Sequence, residues 1–443
     1  MSESRGVARL SGMTPDPVGL FDDAGLSRSP DQVLRLGGLA LEAVARDIGT
    51  PTYVYNAGSI RTRYRALTEA FGATRHRIHY AVKANSNLAV LKILRDLGAG
   101  ADIVSAGELT RVLAAGFDPA DVVFSGVGKS EAELAAAMAA NVGAINLESG
   151  DELVGLERLL AGRSLERPIR VGIRVNPDVG ADTHPYITTG AGGMKFGVPS
   201  EQVAAVAARI AGNPRLKLVS LAMHLGSQLL DPGPLVAGTQ KLVGLLDQLR
   251  LSGIGSVEAV DIGGGLGIRY HDETALDPGL LAGRIAPLVG GLGVALHLEP
   301  GRYLTGSAGV LLTKVLYRKH SGGKDFVIVD AAMNDLVRPS HYDAYHSIVE
   351  LNARGRPEQV VDVVGPVCET GDFLARDRPL PEVLPGEYLA ILCAGAYGFV
   401  MASNYNTRLL PAEVMVDRNR YAVSRKRQTI EAILAGESAD PFQ

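Results

Sequence analysis

Between residues 57 and 298, eight short apolar runs alternate with stretches whose apolar residues recur at helical spacing, and this repetition limits the chain to very few folds. The runs are RIHYAVKAN, GADIVS, DVVFSG, GAINLES, IRVGIRVNP, LVSLAMHLGS, VEAVDIGGG and VALHLEPG. The segments between them include NLAVLKILRDLG, GELTRVLAAG, SEAELAAAMAAN and SEQVAAVAARIAG, most opened by a Ser, Asn or Gly start signal. Strand then helix, eight times over, predicts an α/β fold, the (β/α)8 TIM-type barrel. The fifth unit carries a long Gly-rich insertion, DVGADTHPYITTGAGGMKFGVP, expected to act as a lid or ligand-contacting arm.

After LEPG the pattern changes to β-strands: AGVLLTKVLYRK, DFVIVDAA, EQVVDVVGPV, EYLAILCAGAYG and EVMVD. An earlier strand candidate, GTPTYVYN, precedes the barrel. The expected organisation is therefore a barrel over 57–298 and a mainly-β second domain made discontinuously from 31–56 and 299–443. Residues 1–30, polar and rich in Gly, Pro, Ser and Asp, read as a loosely ordered lead-in.

Composition narrows the partners. A formal net charge of −4 gives no basic stripe, so neither nucleic acid nor an anionic membrane surface is expected, and a small molecule is favoured. Two cysteines, Cys368 and Cys393, are too few for a disulfide framework and fit a reducing compartment. The opening residues lack a signal-peptide core, and no run approaches the ~18 apolar residues of a membrane span, so the expected location is the cytoplasm.

Barrels of this type place their chemistry at the carboxyl ends of the strands. Polar residues fall there repeatedly: Lys83 on the first strand, Asp102 and Ser105 after the second, Glu148 after the fourth, Arg174 and Asn176 after the fifth. His224 and Ser227 follow the sixth, Gly263, Gly264, Gly265 and Gly267 the seventh, and Glu299 with Arg302 the eighth. Lys83 stands inside an otherwise apolar run. A buried ammonium must lose its charge, find a partner or react, and a Schiff base is one way out. An edge strand that lets Lys83 reach water is the competing reading, and the convergence of these groups on one mouth weighs against it.

DIGGGLG is not a dinucleotide fingerprint, since its third glycine position is Ile268, but after the seventh strand it predicts a phosphate cradle. SGVGKS imitates a nucleotide-binding loop, yet Val123 stands where its first glycine belongs, which rejects triphosphate binding on Lys129. The nine histidines show no metal-ligand spacing, so no metal is expected, and His341 and His346 read as ordinary polar residues. An imine-forming lysine, a phosphate cradle and an acid together suggest pyridoxal 5'-phosphate. Lys83 would take its aldehyde, the glycines its phosphate and Glu299 its pyridine nitrogen, with His224 stacked on the ring.

In order along the chain come YAVKAN, ADIVSAGEL, MKFGV, HLGSQ, DIGGGLGI, EPGR, NDLVRPSHYDAYH, GPVCETGD and GAYGFVMASNYN. On these segments, which span nearly all of it, the sequence resembles the diaminopimelate decarboxylase family of fold-type III pyridoxal phosphate enzymes. The resemblance implies decarboxylation of meso-2,6-diaminopimelate at its D-centre to L-lysine, with Lys83 carrying the cofactor. It further implies cofactor contacts from Asp102, His224, Ser227, Gly264, Gly265, Glu299, Pro300, Gly301, Arg302 and Tyr397. Cys368 and Glu369 match the family's catalytic cysteine and substrate-reading acid, usually delivered across a dimer interface, which implies a homodimer. Arg302, Arg338, Tyr342 and Tyr397 match positions around the substrate, with Arg302 and Arg338 toward its distal carboxylate. Cys393 reads as a small buried hydrophobe.

Several alternatives stay open. An ornithine- or arginine-type decarboxylase would set Arg338 against a cationic tail. A decarboxylase of another acidic-tailed or D-amino acid is compatible with the same residues. A racemase usually places a basic residue where Glu299 stands, and an inactive relative would have no need of Lys83, the glycines, Glu299 and Cys368. Departures from the family pattern at Ser340, His341, Tyr303 and Leu304 bear on the exact substrate.

Overall fold

A computed structural model describes residues 17–180 and 195–442. The eight apolar runs form eight parallel strands: His76–Ala81, Gly100–Ile103, Val122–Phe124, Ala144–Leu147, Ile169–Asn176, Leu216–Ala222, Ala259–Asp261 and Ala295–Leu298. Each pairs with the next, and the eighth returns to the first through Leu296↔His76 and Leu298↔Ile78, closing the barrel. The start signals are hydrogen-bonded caps. Asn87, Ser105, Ser130 and Ser149 each accept a backbone N–H from the first turn of the following helix, and Ser130 with Glu133 completes a reciprocal capping box.

The order of units differs from strand-then-helix eight times. Among the described residues, seven outer helices follow barrel strands, but the eighth, Ala57–Ala70, precedes the first strand and packs between Leu88–Asp96 and Pro278–Val289. After the eighth strand the chain turns through Glu299–Gly301 into a short helix, Arg302–Thr305, and enters the β domain, so no barrel helix can follow.

The β domain centres on Gly309–Ser321, which pairs antiparallel with Thr52–Asn56, Lys324–Val329 and Tyr388–Ile391. Ala412–Asp417 pairs parallel with Thr52–Asn56, so the strand GTPTYVYN lies inside this sheet. Strands Phe373–Pro381 and Arg420–Arg425, which sequence pattern did not reveal, line the sheet's edges. A continuous apolar core runs from the barrel into the sheet.

From Pro17 onward the lead-in expectation needs correction, while residues 1–16 of that segment lie outside the described residues. Residues Pro17–Ala24 form a helical turn and Leu26–Arg28 a strand, with Val18, Phe21, Ala24 and Leu26 buried. Asn56 donates to the Ala24 carbonyl at 2.8 Å, and Arg63 pairs with Asp23. Polar composition masked four apolar residues that are spaced to face the core. Most of the Gly-rich insertion after the fifth strand, 181–194, lies outside the described residues, and with it the lid expectation. No helix among the described residues is long and apolar enough to cross a membrane.

Candidate active site

The first barrel strand ends at Ala81, and Lys83 sits just beyond it in the tight turn Val82–Ala84 rather than within the strand. Both domains fix this turn: Tyr397 N donates to Ala84 O at 2.8 Å, and Asn85 Nδ2 to Gly395 O at 2.9 Å. Lys83 keeps about a third of its side chain open to a cavity of about 350 Å³. Its Nζ donates to Asp102 Oδ2 at 2.7 Å, and Asp102 is fully buried. Burial opposes the Lys83 ammonium, but the carboxylates of Asp102 and Glu299 outweigh it and hold the amine above the usual lysine range. This explains how a cation is tolerated at the end of an apolar run.

Three buried carboxyls meet beneath the cavity. Burial, then the charges of Asp102 and Asp261, push Glu299 well above the carboxylate range. Asp261 at the end of the seventh strand is likewise raised, chiefly by burial. Glu299 Oε1 and Asp102 Oδ1 are buried without a hydrogen-bond partner among the described residues, a cost that a ligand donor would relieve.

The glycines after the seventh strand are required sterically. A Cβ on Gly264 would stand 2.3 Å from Glu299 O, and one on Gly265, at φ +97°, 2.8 Å from Gly226 O. Gly263 N donates to Asp261 Oδ1 at 2.8 Å and Gly264 N to His224 Nδ1 at 3.2 Å. Burial, with Lys83 and Arg174 nearby, holds His224 far below the ordinary histidine range, so its ring is neutral. The cradle, the unpartnered Glu299 oxygen and a lysine in the cavity wall fit pyridoxal phosphate: an anion seat, an acceptor for a ring nitrogen and an amine for an aldehyde.

The other end of the cavity is cationic. Arg302 Nη1 donates to Tyr270 Oη at 2.5 Å and Arg338 Nη1 to the same oxygen at 3.0 Å. Arg302 also donates to Ser227 Oγ at 2.9 Å and lies over the Tyr397 ring at 4.9 Å. Arg338 reaches His346 Nε2 at 3.0 Å, and His346 is held on its other nitrogen by Leu392 O at 2.8 Å. Burial pulls Arg338 below its ordinary range and keeps His346 neutral, so His346 is an acceptor for Arg338. Neither guanidinium has a carboxylate partner among the described residues.

Of the residues expected from sequence, Lys83, His224, Ser227, Arg302, Arg338, Tyr342 and Tyr397 line this cavity. Asp102, Gly264, Gly265, Glu299, Pro300 and Gly301 are not lining residues, although Asp102 accepts from Lys83 and Gly264 donates to His224, both of which are. Cys368 and Glu369 are not among its walls: Cys368 is exposed, its N–H donating to Asn406 Oδ1, and Glu369 accepts from Tyr405 Oη at 3.2 Å. Sequence reasoning missed Tyr270, Gln228, Glu273 and Tyr345, which share the cavity. It also read His346 as an ordinary polar residue, whereas it is fully buried against Arg338. Tyr270 had a signal, standing three residues past GGGLG at the same barrel mouth. The departures Ser340, His341, Tyr303 and Leu304 are not cavity residues; Tyr303 packs under Arg63, and Leu304 is core. Lys129 is buried in the barrel wall, paired with Glu152 at 2.8 Å.

A barrel presenting a mouth lysine, a glycine cradle and a buried acid defines a pyridoxal-phosphate-dependent enzyme, and residues 57–306 match the family described as pyridoxal-dependent decarboxylase, pyridoxal binding domain. The chain is 48% identical over 411 residues to diaminopimelate decarboxylase of Pseudomonas aeruginosa, covering 93% of this chain and 98% of that protein. Diaminopimelate decarboxylase of Helicobacter pylori, solved in complex with L-lysine, aligns with a TM-score of 0.85 at 40% identity over 89% of this chain and 98% of that one. The corresponding M. jannaschii complex with L-lysine aligns at 0.88 and 34% identity, over 94% and 98%. The chain belongs to the diaminopimelate decarboxylase family.

Proposed function

We propose that the chain decarboxylates meso-2,6-diaminopimelate at its D-centre, giving L-lysine and carbon dioxide. The observation that carries the substrate is the pair of buried guanidiniums, Arg302 and Arg338, joined on the Tyr270 hydroxyl and lacking an anionic partner among the described residues. Two uncompensated cations suit a distal carboxylate, which can accept from both planar forks. A tail ending in an ammonium or guanidinium would be repelled there, which disfavours ornithine and arginine.

Pyridoxal phosphate, when bound, supplies an aldehyde for amines and an electron-poor ring that takes up the pair left as carbon dioxide departs. Lys83 provides the tethering amine, and Asp102 Oδ2, 2.7 Å from Nζ, takes up and returns its proton. Glu299 Oε1 would accept from the pyridine nitrogen, and Gly264, Gly265, Ser227 and the turn Pro300–Gly301–Arg302 would hold the phosphate. His224, being neutral, would lie against the ring without repelling its positive charge. Arg302, Arg338, Tyr342 and Tyr397 fix the far end of the substrate and so orient the bond that breaks.

Cys368 delivers the proton that replaces carbon dioxide, and Glu369 meets the distal ammonium. Both lie outside the cavity of their own chain, which supports their delivery from a partner subunit and hence a homodimer with shared sites. Two free cysteines support a reducing, cytoplasmic setting. The test is carbon dioxide release from meso-diaminopimelate, L-lysine, L-ornithine and L-arginine side by side. Only the first should turn over; release from ornithine but not from diaminopimelate would overturn the assignment.

A further inference from the structure

One layer below the mouth, two histidines and an aspartate meet inside the barrel. Asp261 on the seventh strand stands opposite His297 on the eighth, and His297 opposite Arg77 on the first, so His79, two residues further on, shares their face. One donor atom from each of His79, Asp261 and His297 lies within 4.8 Å of the others. The two imidazole rings are tilted by 58°, with centroids 4.6 Å apart. Two imidazoles sharing an ion at about 2.0–2.1 Å place their centroids roughly 4.5–5.3 Å apart, so the pair is already at that spacing. The three residues come from strands far apart in sequence, and the histidine spacing from which no metal is expected cannot register them.

The donors are held ready rather than spent on packing. His79 is 3% exposed, and its Nδ1 is buried with no hydrogen-bond partner among the described residues. The opposite ring edge lies over Gly100 on the second strand, where a Cβ would stand 2.4 Å from Cδ2 and 3.0 Å from Nε2. Nδ1 is therefore on the edge turned away from the second strand, the side on which the eighth and seventh strands run. Burial keeps both imidazoles neutral, with His297 lowered to about 4, and the neutral ring is the form that offers a lone pair. Asp261, also buried, accepts from Gly263 N at 2.8 Å, which orients its carboxyl. No Lys or Arg forms a salt bridge with it among the described residues. A buried acid and a bare buried nitrogen are each costly alone, and one cation between them satisfies both.

We propose that His79, Asp261 and His297 bind one divalent transition-metal ion, zinc by its ligand set, inside the barrel. Two imidazoles and a carboxylate select such an ion over magnesium or calcium, and three protein ligands leave a fourth position for water. His297 is only partly buried and lies beside Arg77, whose side chain is open to solvent, so the ion has a way in that is separate from the substrate cavity. Bound there, it ties together strands one, seven and eight. Lys83, Gly263 and Glu299 follow its ligands by four, two and two residues, so the ion braces the groups assigned to the coenzyme. That bracing rests on the pyridoxal phosphate reading; the ion site does not.

The experiment strips holoenzyme with a chelator, reloads it with Zn2+, and reads metal content, affinity and zinc X-ray absorption in the parent, His297→Gln, Asp261→Asn and His320→Gln. The parent should hold one zinc per chain with two imidazoles in its shell, and its Tm should rise with Zn2+ but not with Mg2+. His297→Gln and Asp261→Asn should each weaken binding roughly 100-fold or more, since even groups behind a ligand are worth about 10–100-fold. His320→Gln, at an exposed histidine of the β domain, should leave binding intact. A parent without stoichiometric zinc overturns the proposal, as does zinc retained by His297→Gln with the same affinity and imidazole count, which means an adventitious ion only. Should Asp261→Asn not fold, the parent's imidazole count and the partly exposed His297→Gln decide. Zinc is read without turnover, so failure of the decarboxylase assignment would leave this result standing. Coenzyme affinity unchanged by bound zinc would refute the bracing alone.

Discussion

Arg338→Met is the sharpest perturbation, because it separates what the guanidinium does for substrate from what it does for the fold. Arg338 is buried, its charge is opposed by burial and by Arg302, and its hydrogen bonds go to two neutral groups, Tyr270 Oη and His346 Nε2. A hydrogen bond to a charged group contributes about 1.5–3 kcal/mol, and removing a buried cation without an anionic partner returns a comparable desolvation penalty. Methionine fills much of the volume, so stability should hold or rise. The lost contact to the distal carboxylate should lower kcat/KM for meso-diaminopimelate by roughly 10- to 150-fold, the same 1.5–3 kcal/mol read as a rate. The assay is steady-state carbon dioxide release alongside thermal denaturation and coenzyme absorbance. Unchanged kinetics would remove Arg338 from the substrate site, and a collapse in Tm with loss of coenzyme would show that the charge serves the fold.

Lys83→Ala and Cys368→Ala should each be nearly inactive, yet mixing and re-associating them should restore up to about a quarter of parental activity, as half the dimers then hold one intact site; no recovery would refute shared sites. Gly264→Ala forces a Cβ against Glu299 O and should weaken coenzyme binding by about 1–3 kcal/mol, measured by titrating apoenzyme with pyridoxal phosphate. Burial raises Asp335 to about 7, so the folded state holds a proton there that the unfolded chain releases near pH 4. Its stabilising contribution is complete below about pH 4 and is lost as pH rises through about 7, and Asp335→Asn should flatten Tm over that window. A slope unchanged by the substitution would remove Asp335 as its source.

The barrel was legible because strand and helix periods alternate with few interruptions, and because polar residues recur at one end of each strand. Lys83, the glycines and Glu299 could be placed by that regularity alone. His346 could not, and Tyr270 had only its place at the mouth as a signal, since both take their roles from Arg338, 68 residues from Tyr270 and 8 from His346, which meets them only once the β domain has folded over the mouth. The place of Ala57–Ala70 was misread because a helix before the first strand and one after the last look alike in a repeating pattern. Arg302 and Arg338 were found through segment resemblance, whereas their shared hydroxyl and lack of counter-ions are properties of packing, invisible in a linear string.

Thr52–Asn56 waits for neighbours that have not yet been made. Its antiparallel partner begins at Gly309 and its parallel partner at Ala412, so the sheet cannot assemble around it until the entire barrel has left the ribosome. At about 5–20 residues per second, some 250 residues take roughly 12 to 50 seconds to translate. Through that interval an apolar strand bearing Tyr53, Val54 and Tyr55 has unsatisfied edges, which makes the nascent chain a natural client for chaperones.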